Sequence, residues 1–193
     1  FDLLMRDGGP EAYRCVALTG GQNVMRLAEM AQALRAEVAV TADEARLPAL
    51  REALAGTGIE CAAGTTAIAE AADRPADWVM SAIVGAAGLT PGFRALRHGG
   101  KLALANKETL VTAGQLLMAE AARCEATILP VDSEHSAIFQ ALVGEDMAAV
   151  ERIILTASGG ALRDWPLDRL ASATMAEALA PPHWSMGARI TID

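Results

Sequence analysis

The 193 residues carry 16 Lys plus Arg against 24 Asp plus Glu, a net charge of −8, and 52% of them are hydrophobic. That balance describes a soluble globular protein of one large domain, or one and a half small ones, long enough to bury a core without disulfides or structural metals. It argues against non-specific nucleic-acid binding, which needs clustered Lys and Arg to displace phosphate counterions. Cys15, Cys61 and Cys124 are odd in number and far apart. Neither a disulfide framework nor a thiolate metal cluster is expected, and a reducing cytoplasm fits. The longest apolar stretch, residues 79–89, is interrupted by Ser81, Gly85 and Gly88 and is too short to cross a bilayer. Residues 1–7 show neither an initiator Met nor a signal pattern and read as a cut beginning, not a processed one.

Along the chain, apolar β-type runs alternate with Ala- and Leu-rich helical stretches, each switch marked by Gly, Pro or a capping Asp or Thr. Residues 14–18 read as a strand, followed by Thr19-Gly20-Gly21 and a helix over 24–35 with Leu27, Met30, Ala31 and Leu34 on one face. Residues 38–41 form the next strand, and Asp43 caps a helix to about Leu54. A weaker strand covers 59–62, with Thr65 or Thr66 capping a short helix. Residues 78–84 have the near-continuous apolar character of a strand buried on both faces, broken at Gly85-Ala86-Ala87-Gly88. A helix to about Arg97, a strand over 101–105, a helix capped by Thr112 running to Arg123 and a strand over 126–131 complete the series. Strands separated by helices of this length imply an α/β fold with a doubly wound parallel sheet, whose ligands lie outside the carboxyl ends of the strands. Past Pro130 the pattern changes: a helix over 136–142, a strand over 152–156, Ser158-Gly159-Gly160, a short helix over 174–179 and the start of a strand at 189–193. A domain boundary is therefore placed near Pro130.

Three strand ends carry chemistry. After residues 101–105 come Asn106-Lys107-Glu108, an amide, a cation and a carboxylate that can bind and orient an anionic or hydroxylated ligand; a solvated turn explains them equally well by position. After Val131 come Asp132-Ser133-Glu134-His135. Two carboxylates at i, i+2 repel unless a cation neutralises them, and Mg²⁺ or Mn²⁺ takes such oxygen ligands. The competing explanation is helix capping, with Asp132 as N-cap and Glu134 in the first turn. His135 is not nominated as a ligand. Ser158-Gly159-Gly160 can hold a phosphate on its N–H groups and hydroxyl, or be a tight turn. Gly20-Gly21-Gln22-Asn23 is a cofactor-facing loop or a plain connection, and Trp184-Ser185-Met186-Gly187 a lid or an interface loop.

In order, Ala82-Ile83-Val84-Gly85-Ala86-Ala87-Gly88, Leu104-Ala105-Asn106-Lys107-Glu108, Leu129-Pro130-Val131-Asp132-Ser133-Glu134-His135, Ser158-Gly159-Gly160 and Trp184-Ser185-Met186-Gly187 resemble the 1-deoxy-D-xylulose 5-phosphate reductoisomerase family over essentially the whole chain. The resemblance implies a Rossmann-like NADPH-binding domain over 1–130, its N-terminus missing, and part of a smaller α+β catalytic domain over 131–193. It implies an NADPH-dependent enzyme using Mg²⁺ or Mn²⁺ to convert 1-deoxy-D-xylulose 5-phosphate to 2-C-methyl-D-erythritol 4-phosphate in non-mevalonate isoprenoid biosynthesis. Such an enzyme is cytoplasmic, a homodimer at full length, with no membrane or nucleic-acid partner.

By that resemblance Asp132 and Glu134 are metal ligands, and Ser133 and Glu134 touch the substrate. Lys107 meets the substrate beside the metal, and Ser158 holds its phosphate. Gly21, Gln22, Asn23, Asn106, Glu108 and Gly187 contact NADPH, and Trp184 and Met186 belong to a closing loop. The catalytic group is Lys107, Asp132 and Glu134.

The chain departs from the family pattern at several places. Gln22 stands where the family usually has a basic residue near the 2′-phosphate. Pro181 stands for the family His and His183 for its Asn. The Gly-rich phosphate fingerprint and the motif beyond Asp193, with its third metal carboxylate, are absent. A partial reductoisomerase that binds metal and NADPH poorly and turns over little or nothing is expected. Another NADP-dependent oxidoreductase, or a non-catalytic fragment, are the alternatives.

Overall fold

The computed structural model describes residues 1–156 and 160–180. A short helix α1 (Asp2–Arg6) precedes the first of six strands: β1 (Ala17–Gly20), β2 (Val38–Thr41), β3 (Glu60–Ala63), β4 (Trp78–Ser81), β5 (Lys101–Leu104) and β6 (Thr127–Pro130). Between them lie α2 (Val24–Ala33), α3 (Leu47–Ala53), α4 (Gly64–Ala72), α5 (Leu89–Ala95) and α6 (Lys107–Arg123), and α7 (Ser133–Leu142) follows β6. All pairings are parallel, in two three-stranded sheets ordered β1-β2-β3 and β4-β5-β6. This is the α/β architecture expected, its strands falling into the two βαβαβ halves of a doubly wound fold. Residues 1–143 form one compact unit.

Strand β2 shows why the apolar runs fold this way. All four of its residues are buried. Ala39 packs with Val24, Leu27, Ala31, Leu50 and Leu54 of the α2 and α3 layer, while Val38 and Val40 pack with Ile68 and Ala71 of α4. A strand covered on both faces has no polar side to expose, so its sequence is continuous in apolar residues. In the second sheet Leu102 and Leu104 of β5 close on Leu96, Leu117 and Ala121. Leu50 is wholly buried. Leu50→Ala therefore costs about 2–5 kcal/mol of stability, through lost transfer energy plus the cavity left behind. A loss of less than about 1 kcal/mol in the unfolding free energy from denaturant titration would show that α2 and α3 collapse into the space.

Several expected elements differ in detail. Strand β4 stops at Ser81 and is not buried on both faces: Trp78 is 43% and Met80 46% exposed. It lies at a sheet edge, and only its Val79 side packs against the α5 and α6 cluster. Helix α6 starts at Lys107 because Asn106 caps it, and Thr112 sits instead beside a break at Ala113 (φ −143°, ψ 29°). Helix α7 starts at Ser133, three residues before the apolar pattern suggests, because Asp132 caps it.

Residues 144–193 form a second compact unit. The strand expected over 152–156 is not formed: Ile153, Ile154 and Leu155 are exposed and join no ladder among the described residues. β-propensity alone does not make a strand without an edge to pair with. Two short helices follow, α8 (Leu167–Leu170) and α9 (Met175–Ala178), the second started by a reciprocal capping box between Thr174 and Glu177. No helix among the described residues is long and apolar enough to cross a membrane.

Candidate active site

Every nominated residue among those described lies just beyond the carboxyl end of a strand. Gly21-Gln22-Asn23 follow β1, Asn106-Lys107-Glu108 follow β5 and Asp132-Ser133-Glu134 follow β6. Parallel register aligns Ser81 of β4 with Leu104 of β5, and Leu104 with Pro130 of β6. The ladder continues one step further: Val131 N–H donates to the Leu104 carbonyl at 3.1 Å, and the Ala105 and Asn106 N–H groups donate to the Ser81 carbonyl at 3.0 Å. Chain segments 25 residues apart therefore leave the sheet side by side, and Lys107 Nζ reaches Asp132 Oδ2 at 3.0 Å.

Asp132 does two jobs at once. As N-cap its Oδ1 accepts from the His135 N–H at 3.2 Å. The same oxygen lies 2.6 Å from His135 Nδ1, where the ring N–H donates, since an ionised carboxylate only accepts. The other oxygen faces Lys107. The His135 hydrogen bond, with the Lys107 ammonium behind it, holds the Asp132 carboxyl well below the ordinary carboxylate range against the opposing effect of burial. Asp132 is accordingly anionic at neutral pH, and its pairing stabilises the fold above the usual aspartate pKa and is lost as pH falls through the depressed value. Next to it Ser133 Oγ donates to Glu134 Oε2 at 2.9 Å.

On the other side of β5, Glu108 Oε1 accepts from the Gly85 N–H at 3.3 Å. That fastens the turn after β4 to the first turn of α6. In the first sheet the buried Thr41 hydroxyl donates to the Gly21 carbonyl at 2.6 Å, and Asn23 caps α2 by accepting from the Arg26 N–H at 3.1 Å. A Cβ on Gly21 would meet nothing within 4 Å, so the space beside this residue is open.

The donor set at residues 132 and 134 suits a hard cation. It offers carboxylate oxygens within one helical turn, and an ammonium already sits against one of them. Among the described residues no group of three or more His, Cys, Asp or Glu side chains converges on a metal position. Ser158, Pro181, His183, Trp184, Met186 and Gly187 lie outside the described residues. Two participants were missed by reading the sequence, His135 and Thr109. His135 could have been found, because an N-cap aspartate and the residue three positions on share the first helical turn. Thr109 carries the same i+3 relation to Asn106.

Comparison with known proteins places the chain in a family. The family described as 1-deoxy-D-xylulose 5-phosphate reductoisomerase matches residues 3–114, and its C-terminal domain matches residues 128–193. The 1-deoxy-D-xylulose 5-phosphate reductoisomerase of Cereibacter sphaeroides is 74% identical over all 193 residues, and that of Paracoccus denitrificans 69%. The chain spans about half the length of these relatives, 49% and 50%. A solved structure of the enzyme from Zymomonas mobilis in complex with NADPH superposes with a TM-score of 0.88 at 45% identity, covering 94% of this chain and 47% of that one. Another, a DOX-P reductoisomerase in complex with NADPH, fosmidomycin and magnesium, gives 0.79 at 35% identity, covering 97% and 49%. With family models matching residues 3–114 and 128–193, whole-chain identity of this size and a shared fold, the chain belongs to the 1-deoxy-D-xylulose 5-phosphate reductoisomerase family.

Proposed function

We propose that these residues are the cofactor-binding part and the first metal-binding segment of an enzyme that converts 1-deoxy-D-xylulose 5-phosphate to 2-C-methyl-D-erythritol 4-phosphate with NADPH and Mg²⁺ or Mn²⁺. The observation that carries this reading is the 3.0 Å contact between Lys107 and Asp132. It joins two distant sequence motifs into one charged cluster at the sheet's carboxyl edge. Relatives solved with NADPH, and with magnesium and fosmidomycin, support the same ligands here.

In this reading residues 1–130 serve the cofactor and residues 131 onward the chemistry. Asp132 and Glu134 hold the cation. Lys107 places its ammonium against substrate oxygens beside it, and the Ser133 hydroxyl and Glu134 orient the sugar. Ser158 takes the phosphate. Gly21, Gln22, Asn23, Asn106, Glu108 and Gly187 line the NADPH site, with Gln22 offering an amide where the family usually offers a cation. When bound, the cation polarises the substrate's oxygens and NADPH supplies the hydride. Lys107 adds a fixed positive charge where negative charge develops, and it needs no reorganisation because Asp132 already orients it. The enzyme works in the cytoplasm as a homodimer, without membrane or nucleic-acid partners.

The test is a hybrid in which these 193 residues replace the corresponding stretch of the Cereibacter sphaeroides relative. NADPH oxidation that requires both 1-deoxy-D-xylulose 5-phosphate and Mg²⁺ is expected, whereas the 193 residues alone turn over little or nothing. A folded hybrid that oxidises no NADPH, or does so without the sugar phosphate, refutes the reading.

A further inference from the structure

Asn106 is 2% exposed, and each of its side-chain valences has a partner. Its Nδ2 donates to the carbonyls of Ile83 and, at 2.9 Å, Gly85. Its Oδ1 accepts from the Thr109 N–H at 2.9 Å and from the Thr109 hydroxyl at 2.5 Å. A carboxamide has two donor hydrogens and two acceptor lone pairs, so all four are used inside the protein. The partners also fix the amide's orientation, because the flipped group would set its oxygen against two carbonyls and its NH₂ against an N–H.

The neighbours are built around this side chain. Thr109 is 1% exposed. A Cβ on Gly88 would come within 2.5 Å of Asn106 Nδ2 and 2.7 Å of the Ile83 carbonyl oxygen. Gly88 has an ordinary backbone conformation (φ −79°, ψ −11°), so the glycine is there for the close approach and not for its torsion. Glu108 adds the second tie, to the Gly85 N–H.

We propose that Asn106 is a positioning residue: its side chain clamps the turn over residues 83–88 to the start of α6 and thereby sets where Lys107 and Glu108 stand, leaving only its main chain for the cofactor. This deepens the functional reading above and rests on it. If the side chain bound NADPH directly, one of its four bonds would have to break first, and losing the amide would cost a ligand contact that Thr109 does not share. A clamp makes the opposite demand. The Thr109 hydroxyl donates to Asn106 Oδ1, so losing that hydroxyl must weaken the same function.

The experiment is a double-mutant cycle in the hybrid, read by NADPH dissociation constant from nicotinamide fluorescence, by thermal midpoint and by amide exchange over residues 83–88. Thr109→Val, which removes one buried hydrogen bond, is expected to weaken NADPH binding by about ten-fold, and Asn106→Ala, which removes all four, by at least as much. The double variant should be no weaker than Asn106→Ala alone. Thr109→Ser, which keeps hydroxyl and N–H, should bind like the parent, and Thr109→Val should speed exchange at residues 83–88. Should Asn106→Ala fail to fold, the contrast between Thr109→Val and Thr109→Ser decides alone. Thr109→Val with parental NADPH affinity, even with a lowered thermal midpoint, overturns the proposal, as do multiplying effects in the cycle. An unsubstituted hybrid that neither binds NADPH nor reduces the sugar phosphate overturns the functional reading instead, while the exchange comparison still reports on the clamp.

Discussion

Glu134→Gln in the hybrid lowers metal-dependent turnover by about a thousand-fold, the several kcal/mol that a correctly held divalent ion contributes at ~1.4 kcal/mol per decade. The substitution keeps shape and one oxygen donor but removes one of the two negative charges that make residues 132–134 attractive to a cation. Glu134 lies in the first turn of α7, where its side chain accepts from the Ser133 hydroxyl. It is not part of the hydrophobic core, so stability should change by no more than about 0.5 kcal/mol. NADPH affinity should stay within about two-fold, because no cofactor contact is altered and only chemistry that depends on the ion is lost. Kinetics indistinguishable from the parent at saturating Mg²⁺ would remove Glu134 from the metal site.

Lys107→Met separates the second function of the cluster. The methionine retains the length of the stem and deletes the ammonium, which is 3.0 Å from Asp132 Oδ2. A charged hydrogen bond to the substrate contributes about 1.5–3 kcal/mol, so kcat/KM for the sugar phosphate falls by about ten- to a hundred-fold. Metal activation behaves differently. The ammonium and the cation compete for the same carboxylate, so the Mg²⁺ concentration for half-activation should not rise and should fall if anything. Opposite responses of substrate and metal distinguish this role from misfolding, which would weaken both. A large rise in the Mg²⁺ requirement would mean that Lys107 helps build the metal site. Lys107→Arg should recover only part of the loss, since a planar guanidinium does not reproduce a compact point charge.

Asp132 shows that helix capping leaves a carboxylate oxygen for a second partner. Reading residues 132–135 left two explanations open, helix cap or cation site, and the two are compatible in one side chain. Oδ1 of Asp132 closes the helix while Oδ2 faces the cationic side. Holding the carboxylate ionised serves both, because a helix N–H and a cation each bind the charged form more strongly.

Much of this was legible in one dimension. Alternation of four-residue strands with Ala-rich helices showed in the spacing of apolar runs, most clearly at residues 38–41, which are covered on both faces and have no polar side to expose. Parallel strands place their loops at one edge, which is why residues 106–108 and 132–134 stand out in the sequence as candidates. Short-range signals misplaced element starts by several residues at Lys107 and Ser133, because N-capping by Asn106 and Asp132 outweighs apolar periodicity. Residues 152–156 carried strand composition without a strand, because pairing is supplied by another segment and not by propensity.

What only the tertiary structure decided is who meets whom. Register between neighbouring strands aligns Leu104 with Pro130 and so brings Lys107 to Asp132, and no local pattern encodes a pairing across that distance. Asn106 makes the point most sharply. In sequence it is one polar residue among three at a strand end, open to any ligand; in the fold its four hydrogen-bonding positions are already taken. Hydrogen-bond saturation belongs to a three-dimensional neighbourhood, and it changes that side chain from a presumed contact into a support for the contacts beside it.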